Sequence, residues 1–506
     1  MPSALRLLRD RPAWVLAVLA LLLHLYASGG YGIFRDELYF IVCGSHPDWG
    51  YVDQPPLIPL IAWTMHSLFP ASLVMLRLVP ALAHAGTIAL TGETARVLGA
   101  RVWGQGLAAL CVLVAGVYLG MGTLLSTDAF QPLAWSFCSY ALIRVIRDRD
   151  ERWWLVMGPA VGVALLSKYM IVFWLAALGL GIVATAARRS LARPHLYIGA
   201  TIALVIVLPN VLWQWAHDWP FLEIGRRAAE GKNVALSPLA FLAAEIETLN
   251  PGTAPVWLIG VAAFAFWRRL ADLRLFAVAF VALIAVMIAV HAKPYYPVGA
   301  YTVLFAGGAT ALEAWLSRPA PRAALAAAVA LLGVVLAPFA LPILPVQRFA
   351  AYQERLGQSA KPMERLAVGR LPQYYADMFG WPELAALVGR AYQSLPAAER
   401  AQAVFLARNY GEAAAVDVLG AAWGLPPAIS GHNSYFLWGP RGHDGSVVLV
   451  LGGEREALLR TYESVEAAGM TDNPWAMPFE TGLTLWICRG RHPPLDVAWP
   501  GLKNYI

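Results

Sequence analysis

The residues most able to do chemistry in this chain concentrate in one stretch, FRDELYFIVCGSHPDWGYVDQPPLIPLIAWTMHSLFP, residues 34–70. It carries Arg35, Asp36, Glu37, Asp48 and Asp53 among aromatic residues such as Tyr39, Trp49, Tyr51 and Trp63. A carboxylate held at a reacting centre can take the proton from an attacking hydroxyl or amine. Partial burial near lipid moves such a carboxyl toward neutrality, where a base works best. A second carboxylate can hold a divalent cation or orient an acceptor, and a nearby cation stabilises a departing phosphate. Spacing alone is equally consistent with solvated loop acids. Pro55 and Pro56 fit the first turn of a short helix over 56–69, and 36–46 reads as another. The aromatic residues suit a membrane–water boundary.

A membrane must position this stretch. The 506 residues are 59% hydrophobic and only 14% charged, with mean hydropathy +0.56, against roughly 25% charged in soluble domains. A spanning helix needs about 20 mostly apolar residues. Eleven segments qualify: 13–30, 72–92, 104–122, 128–146, 154–168, 170–187, 196–214, 254–267, 274–291, 296–316 and 322–343. With the N-terminus inside, the inner segments hold seventeen basic residues, beginning with Arg6, Arg9 and Arg11. The outer loops before residue 320 hold six: Arg35, Lys168, Arg226, Arg227, Lys232 and Lys293. This asymmetry obeys the positive-inside rule. It also argues against nucleic acid as the reason for the net charge of +6, since the charge is scattered in short clusters. Many further spans follow the first, so it reads as a retained anchor and not a cleaved signal. An odd number of spans places residues 344–506 outside.

That last part changes character. AVFLAR (403–408), SVVLVLG (446–452) and LTLWICR (483–489) read as strands, and EAAAVDVLGAAWG (412–424) as a helix ending at glycine. Alternating strand and helix predict a small α/β domain. The domains expected are therefore 1–343, with the first outer loop 31–71 as its catalytic part, and 344–506. Cys43, Cys111, Cys138 and Cys488 form no CxxC pair, which removes a zinc or thioredoxin-like motif. Nothing in the sequence shows whether Cys43 and Cys488 pair. Nucleotide-phosphate motifs are absent, so no nucleotide cofactor is expected.

R-D-E-L-Y (35–39) followed by Y-V-D-Q-P-P-L (51–57) resembles the first outer loop of bacterial GT-C glycosyltransferases of the dolichyl-phosphate-mannose-protein mannosyltransferase type, glycosyltransferase family 39. It is also similar to the aminoarabinose transferases that modify lipid A. The resemblance implies the GT-C fold, a polytopic α-helical membrane protein with a C-terminal periplasmic α/β domain. It places the catalytic base on Asp36, with Glu37 as the neighbouring acid. It associates Asp53 with a divalent metal or with the donor phosphate. The aminoarabinose transferases tend to have Lys before Pro-Pro, whereas this chain has Gln54, which removes a phosphate-pairing charge.

Other stretches extend the match. L-S-K-Y (166–169) and H-A-K-P-Y-Y-P (291–297) place Lys168 and Lys293, with Tyr295 and Tyr296, at outer span ends, where they would cradle the carrier phosphate together with Arg35. A lysine there is costly unless it meets an anion or snorkels to the interface. Asp128 would bind sugar or metal, although N-capping by Thr127 or Asp128 explains L-L-S-T-D-A-F more cheaply. In P-N-V-L-W-Q-W-A-H-D-W-P-F-L-E (209–223), His217, Asp218 and Glu223 are candidates for acceptor or sugar contact, and an interfacial aromatic belt is the alternative. N-Y-G-E-A (409–413) and G-L-P-P-A-I-S-G-H-N-S-Y-F-L-W-G-P (424–440) offer Tyr410, Glu412, His432, Asn433 and Trp438 for an acceptor site; turn geometry accounts for the same residues.

The expectation is an inverting transferase that moves a sugar from a polyprenyl-phosphate donor to a lipid, glycan or protein acceptor outside a bacterial inner membrane. The rival is a transporter or flippase of lipid-linked sugars. Transporters keep their polar groups near the bilayer midplane, where Arg77 and Glu93 are the main candidates, and an interfacial position is the simpler account of Arg77.

Overall fold

The computed structural model describes residues 10–70, 72–227, 236–360 and 367–506. Arg6, Arg9 and Lys232, which entered the charge count, lie outside the described residues. The chain forms two compact units.

The first unit takes residues up to Gly30, Leu73–Leu212, and the described part of the stretch up to Leu344. Helix occupies each of the eleven apolar segments. Among the described residues, three helices are long and apolar enough to cross a membrane alone: Leu73–Val97, Pro194–Ala216 and Pro319–Phe339. Three bent pairs bring the number to six if each pair is one span. One pair breaks at Ala115 with a 63° bend; another, Pro238–Leu249 with Pro251–Phe266, bends by 98°. The sequence segment 254–267 therefore omitted the preceding helix, Pro238–Leu249. Asn250 makes the second break possible. It has φ +77, accepts the Gly252 N–H at 2.9 Å and donates to the Val114 carbonyl at 3.3 Å. Irregular backbone at membrane depth survives only when its polar groups are satisfied inside the protein. The helices bury one continuous apolar core around Trp135, Trp174, Phe264, Phe276 and Phe305.

Arg77 is fully buried inside the protein, and its Nη1 donates to the Ser28 carbonyl at 2.8 Å. Glu93 accepts from Arg11 at 2.9 Å and pairs with Arg96. Arg77 and Glu93 thus both have partners within the first unit.

The second unit combines Tyr31–Ser72, the described part of 213–233, and the described part of Pro345–Ile506. The loop that follows the first helix is thus built into the same unit as the C-terminal region. It forms two helices, α1 (Arg35–Ser45) and α2 (Leu57–Leu68). Asp36 and Glu37 lie in the first turn of α1, where negative charge complements the helix dipole. The two helices approach closely at Gly44, where a Cβ would strike the Pro59 carbonyl and the Trp63 Cβ. The C-terminal part adds α3 (Trp381–Ser394), β1 (Ala403–Ala407), α4 (Tyr410–Leu419), β2 (Ile429–Ser430), β3 (Val447–Leu451), β4 (Tyr462–Met470) and β5 (Thr484–Arg491).

The sheet order is β2-β1-β3-β5-β4. β1 runs parallel to β2 and β3, with Val404 opposite Val448, while β5 is antiparallel to β3 and β4. β1 and β3 are apolar and buried almost throughout, as central parallel strands must be. β4 is an edge strand with exposed Glu463 and Glu466, and its polarity hid it from the sequence reading. Cys43 and Cys488 are free and buried, as are the other two cysteines.

Candidate active site

Asn409 starts the site. Its side chain accepts the Gly411 and Glu412 N–H groups at 2.9 and 3.0 Å, capping α4 just after β1. The cap presents Tyr410 to the start of α1. The Tyr410 hydroxyl donates to Asp36 Oδ1 at 2.7 Å. The Arg35 guanidinium lies over the Tyr410 ring, with 5.3 Å to its centroid, and its Nε is 3.6 Å from Asp36 Oδ1. Gly411 is needed here, because a Cβ would meet Arg35 Cγ and Cδ. On its other side Arg35 reaches Asp377 Oδ2 at 3.5 Å, and its amide donates to the Asp377 carbonyl at 3.0 Å. Burial works against the Arg35 charge, but Asp377, Tyr410 and Asp36 hold its pKa well above the ordinary value.

Asp53 is the second acid of the cluster. Its Oδ1 accepts from the Tyr39 hydroxyl at 2.9 Å and its Oδ2 from Asn433 Nδ2 at 3.2 Å. The Tyr39 hydroxyl in turn accepts the Ser434 N–H at 3.1 Å, which ties α1 to the loop after β2. Burial pushes the Asp53 carboxyl up to about 6, helped by repulsion from Asp36 and opposed by Tyr39 and Asn433. Burial also raises the Tyr39 and Tyr410 phenols well above their usual range, so both act as donors. Their rings lie 4.5 Å apart. Glu37 is buried, and its Oε2 accepts the Phe34 N–H at 2.9 Å, closing the first turn of α1.

His432 Nδ1 accepts the Tyr410 N–H at 3.2 Å, so Nε2 carries the hydrogen toward the Ile506 carbonyl, also at 3.2 Å. Asn433 has φ +48, an uncommon conformation for a residue with a side chain. It turns its amide to Asp53 while its Oδ1 accepts the Ile506 N–H at 3.3 Å. Glu412 is fully buried and is held by Arg408 through Nη2 at 2.6 Å and Nε at 2.9 Å. Asn409 bridges Glu412 to Glu480, whose carboxyl is raised well above its usual range by burial and then by Glu412. Asp377, Glu480 and Ser434 escaped the sequence reading, since no local pattern marks a residue that acts only after folding.

In the 213–223 stretch, His217 Nδ1 donates to the Trp213 carbonyl at 2.8 Å and its ring stacks on Trp213. Asp218 is exposed at φ +60 in the turn that ends this helix. Glu223 is paired with Arg227 and Lys503, each at 2.8 Å.

The first unit gathers its own cluster. Lys168 Nζ donates to both Asp128 oxygens, at 2.7 and 2.6 Å, and lies over the Tyr296 ring at 5.1 Å. Asp128 is therefore an ion-pair partner, not a helix cap, and the helix Gln131–Arg147 begins without a side-chain cap. Lys293 lies 6.0 Å from the Tyr295 ring, and Tyr295 meets Tyr296 edge-on at 4.9 Å.

Comparisons with known proteins fit this architecture. Residues 53–213 match the sequence model of the dolichyl-phosphate-mannose-protein mannosyltransferase family. A 223-residue stretch is 26% identical to the lipid A galacturonosyltransferase RgtD of Rhizobium johnstonii, covering 43% of this chain and 46% of that protein. The match thus spans about half the length of that relative. The fold resembles the crystal structure of ArnT from Cupriavidus metallidurans bound to undecaprenyl phosphate, with TM-score 0.60 at 14% identity, covering 94% of this chain and 97% of the other. The apo form of the same protein gives 0.61. Over part of its length the chain is thus similar in sequence to glycosyltransferases, and over nearly all of it to ArnT in fold.

The three to six candidate spans among the described residues fit a multi-pass membrane protein by length and composition. Position 54, where a lysine was expected in aminoarabinose transferases, is fully buried here. Gln54 turns inward, with its Nε2 3.7 Å from Cys43 Sγ. Among the described residues no three His, Cys, Asp or Glu side chains converge as metal ligands. Both Asp53 oxygens are already engaged by Tyr39 and Asn433. The residues present therefore do not make a cation cage around Asp53.

Proposed function

We propose that this chain is an inverting glycosyltransferase that moves a sugar from a polyprenyl-phosphate donor to a lipid acceptor at the outer face of a bacterial inner membrane. The observation that carries the reading is the hold on Asp36. One carboxylate oxygen faces a phenol donor at 2.7 Å and a guanidinium at 3.6 Å, at the start of a helix and near a second acid whose carboxyl burial pushes up to about 6. In this reading Asp36 takes the proton of the acceptor hydroxyl or amine. The acceptor atom bonds to the anomeric carbon from the face opposite the phosphate. The carbon–oxygen bond to phosphate breaks, and the electron pair leaves with the polyprenyl phosphate. Arg35 is a positioning residue for Asp36 and Tyr410. Asp53, whose oxygens accept from Tyr39 and Asn433, sets the charge beside Asp36. Lys168 and Lys293 are the donor-phosphate groups.

The donor class follows the undecaprenyl phosphate bound to the ArnT structure, and the lipid acceptor follows the RgtD relative. The second unit would then face the periplasm, with the N-terminus in the cytoplasm.

The test uses purified protein with a panel of radiolabelled polyprenyl-phosphate sugars and a lipid A acceptor. Asp36→Asn is expected to lower turnover by about 10²–10⁴-fold, the usual contribution of a general base, without abolishing donor binding. Full turnover by Asp36→Asn would remove the base from Asp36. Movement of donor across liposomes without transfer would establish the transporter instead.

A further inference from the structure

Away from Asp36, the second unit contains a cleft of about 440 Å³ at the far end of α1, within the roughly 300–1,000 Å³ typical of small-molecule sites. Ser45 and His46 come from the end of α1, Trp63 and His66 from α2, Asp417 from α4, and Arg441 from the loop before β3. Ten residues of helix separate Asp36 from His46, about 15 Å at 1.5 Å per residue. The cleft is therefore not part of the acid cluster.

The polar groups of this cleft are arranged, not scattered. Arg441 adopts φ +53 between Gly439 at +72 and Gly442 at +82. A left-handed arginine is uncommon, and such conformations persist where the surroundings impose them. Its guanidinium lies 5.6 Å from the Trp438 ring centroid and 5.9 Å from that of Tyr435. Trp438 is itself stacked on His46 at 4.3 Å. The Arg441 Nη2 is buried without a hydrogen-bond partner among the described residues. Asp417 interacts with the Arg441 charge but makes its hydrogen bonds elsewhere. Its Oδ1 accepts the Ala428 N–H at 2.7 Å and its Oδ2 the Tyr435 hydroxyl at 2.8 Å. Burial lowers the His66 imidazole, leaving it a neutral hydrogen-bonding group. The cleft thus brings together the Arg441 guanidinium, whose buried Nη2 has no hydrogen-bond partner among the described residues, the Asp417 carboxyl, which burial raises and Arg441 lowers, the His66 imidazole and the half-exposed Trp63 indole. A fixed guanidinium favours an oxyanion. An aromatic face, carrying negative quadrupole charge, favours the polarised C–H groups of a sugar ring.

We propose that this cleft binds an acidic saccharide, with its phosphate or carboxylate on Arg441 and its ring against Trp63, as the remote part of the acceptor. The role as an acceptor subsite rests on the transferase reading; the binding does not. Contacts remote from the reacting bond supply binding energy that orients the acceptor.

The test is equilibrium binding to the purified full chain in detergent, without donor. The probes are glucosamine 6-phosphate, galacturonate, glucose and inorganic phosphate. One of the two sugar acids is expected to bind saturably, and which one does identifies the anion as phosphate or carboxylate. Arg441→Gln is expected to weaken that binding by about tenfold or more, the loss of one charge-assisted hydrogen bond. Trp63→Ala, at an exposed position, is expected to weaken the sugar acid and leave inorganic phosphate unchanged. Glucose binding as well as the acids overturns the role of Arg441, as does wild-type affinity in Arg441→Gln. Inorganic phosphate binding as tightly as the sugar acid overturns the saccharide assignment. Absence of saturable binding by both acids overturns the site. Binding is read without turnover, so its failure is separable from a failure of Asp36→Asn to lower transfer.

Discussion

Asp53→Asn is the most exacting perturbation of the acid cluster. The Asp53 carboxyl rises from 3.8 to about 6, chiefly through burial. A rise of roughly two pH units corresponds to ~3 kcal/mol at 1.36 kcal/mol per unit. The sign follows from linkage. The folded state binds this proton more tightly than the unfolded state, so ionisation destabilises the fold. The penalty is absent below about pH 3.8, grows as pH rises toward 6, and is complete above it. Asp53 keeps a partly exposed edge, so ~3 kcal/mol is an upper figure. Asparagine carries no charge but places an N–H against one of the two donors, Tyr39 or Asn433. That adds a constant cost of ~1–3 kcal/mol for an unsatisfied polar group, so the informative quantity is the slope with pH. Thermal unfolding in detergent should show the wild type losing stability relative to Asp53→Asn between pH 4 and 7, then a constant gap. In transfer assays, the acid limb of kcat/KM near pH 6 should vanish in the variant. A stability gap flat from pH 4 to 7, with the limb at pH 6 retained, would refute the reasoning.

Two further outcomes follow from ion pairs. If Lys168 serves the donor phosphate, Lys168→Met should raise the donor KM about tenfold, the loss of one charged contact. Asp128→Asn, which frees the lysine, should lower the KM; steady-state kinetics that show both variants raising it would leave the pair a structural one. Arg408→Gln should destabilise the protein by ~2–4 kcal/mol, because it strands the buried Glu412. Since the Glu480 carboxyl is raised by burial and by Glu412, the loss should be larger at pH 8 than at pH 5, as read by thermal unfolding. An equal loss at both values would refute that coupling.

The sequence by itself determined what depends on local composition and period. Apolar length placed helix in all eleven segments, and unbroken apolar runs placed β1, β3 and β5. R-D-E-L-Y and D-Q-P-P drew attention to Asp36 and Asp53, because acids between a membrane span and a double proline are conspicuous in one dimension. Tertiary structure decided which groups meet. Tyr410 lies 374 positions from Asp36 and Asn433 lies 380 from Asp53, yet each donates to its acid. Tyr39 looked like an interfacial aromatic residue and proved to be a hydrogen-bond donor to Asp53. Gln54 looked like a missing phosphate ligand and proved to be buried against Cys43. Asp128 looked like a cap and proved to be the partner of Lys168. The reason is common to all of these residues. A side chain's role is fixed by the partner within about 3 Å and by how much water remains around it, and neither quantity is local in the chain.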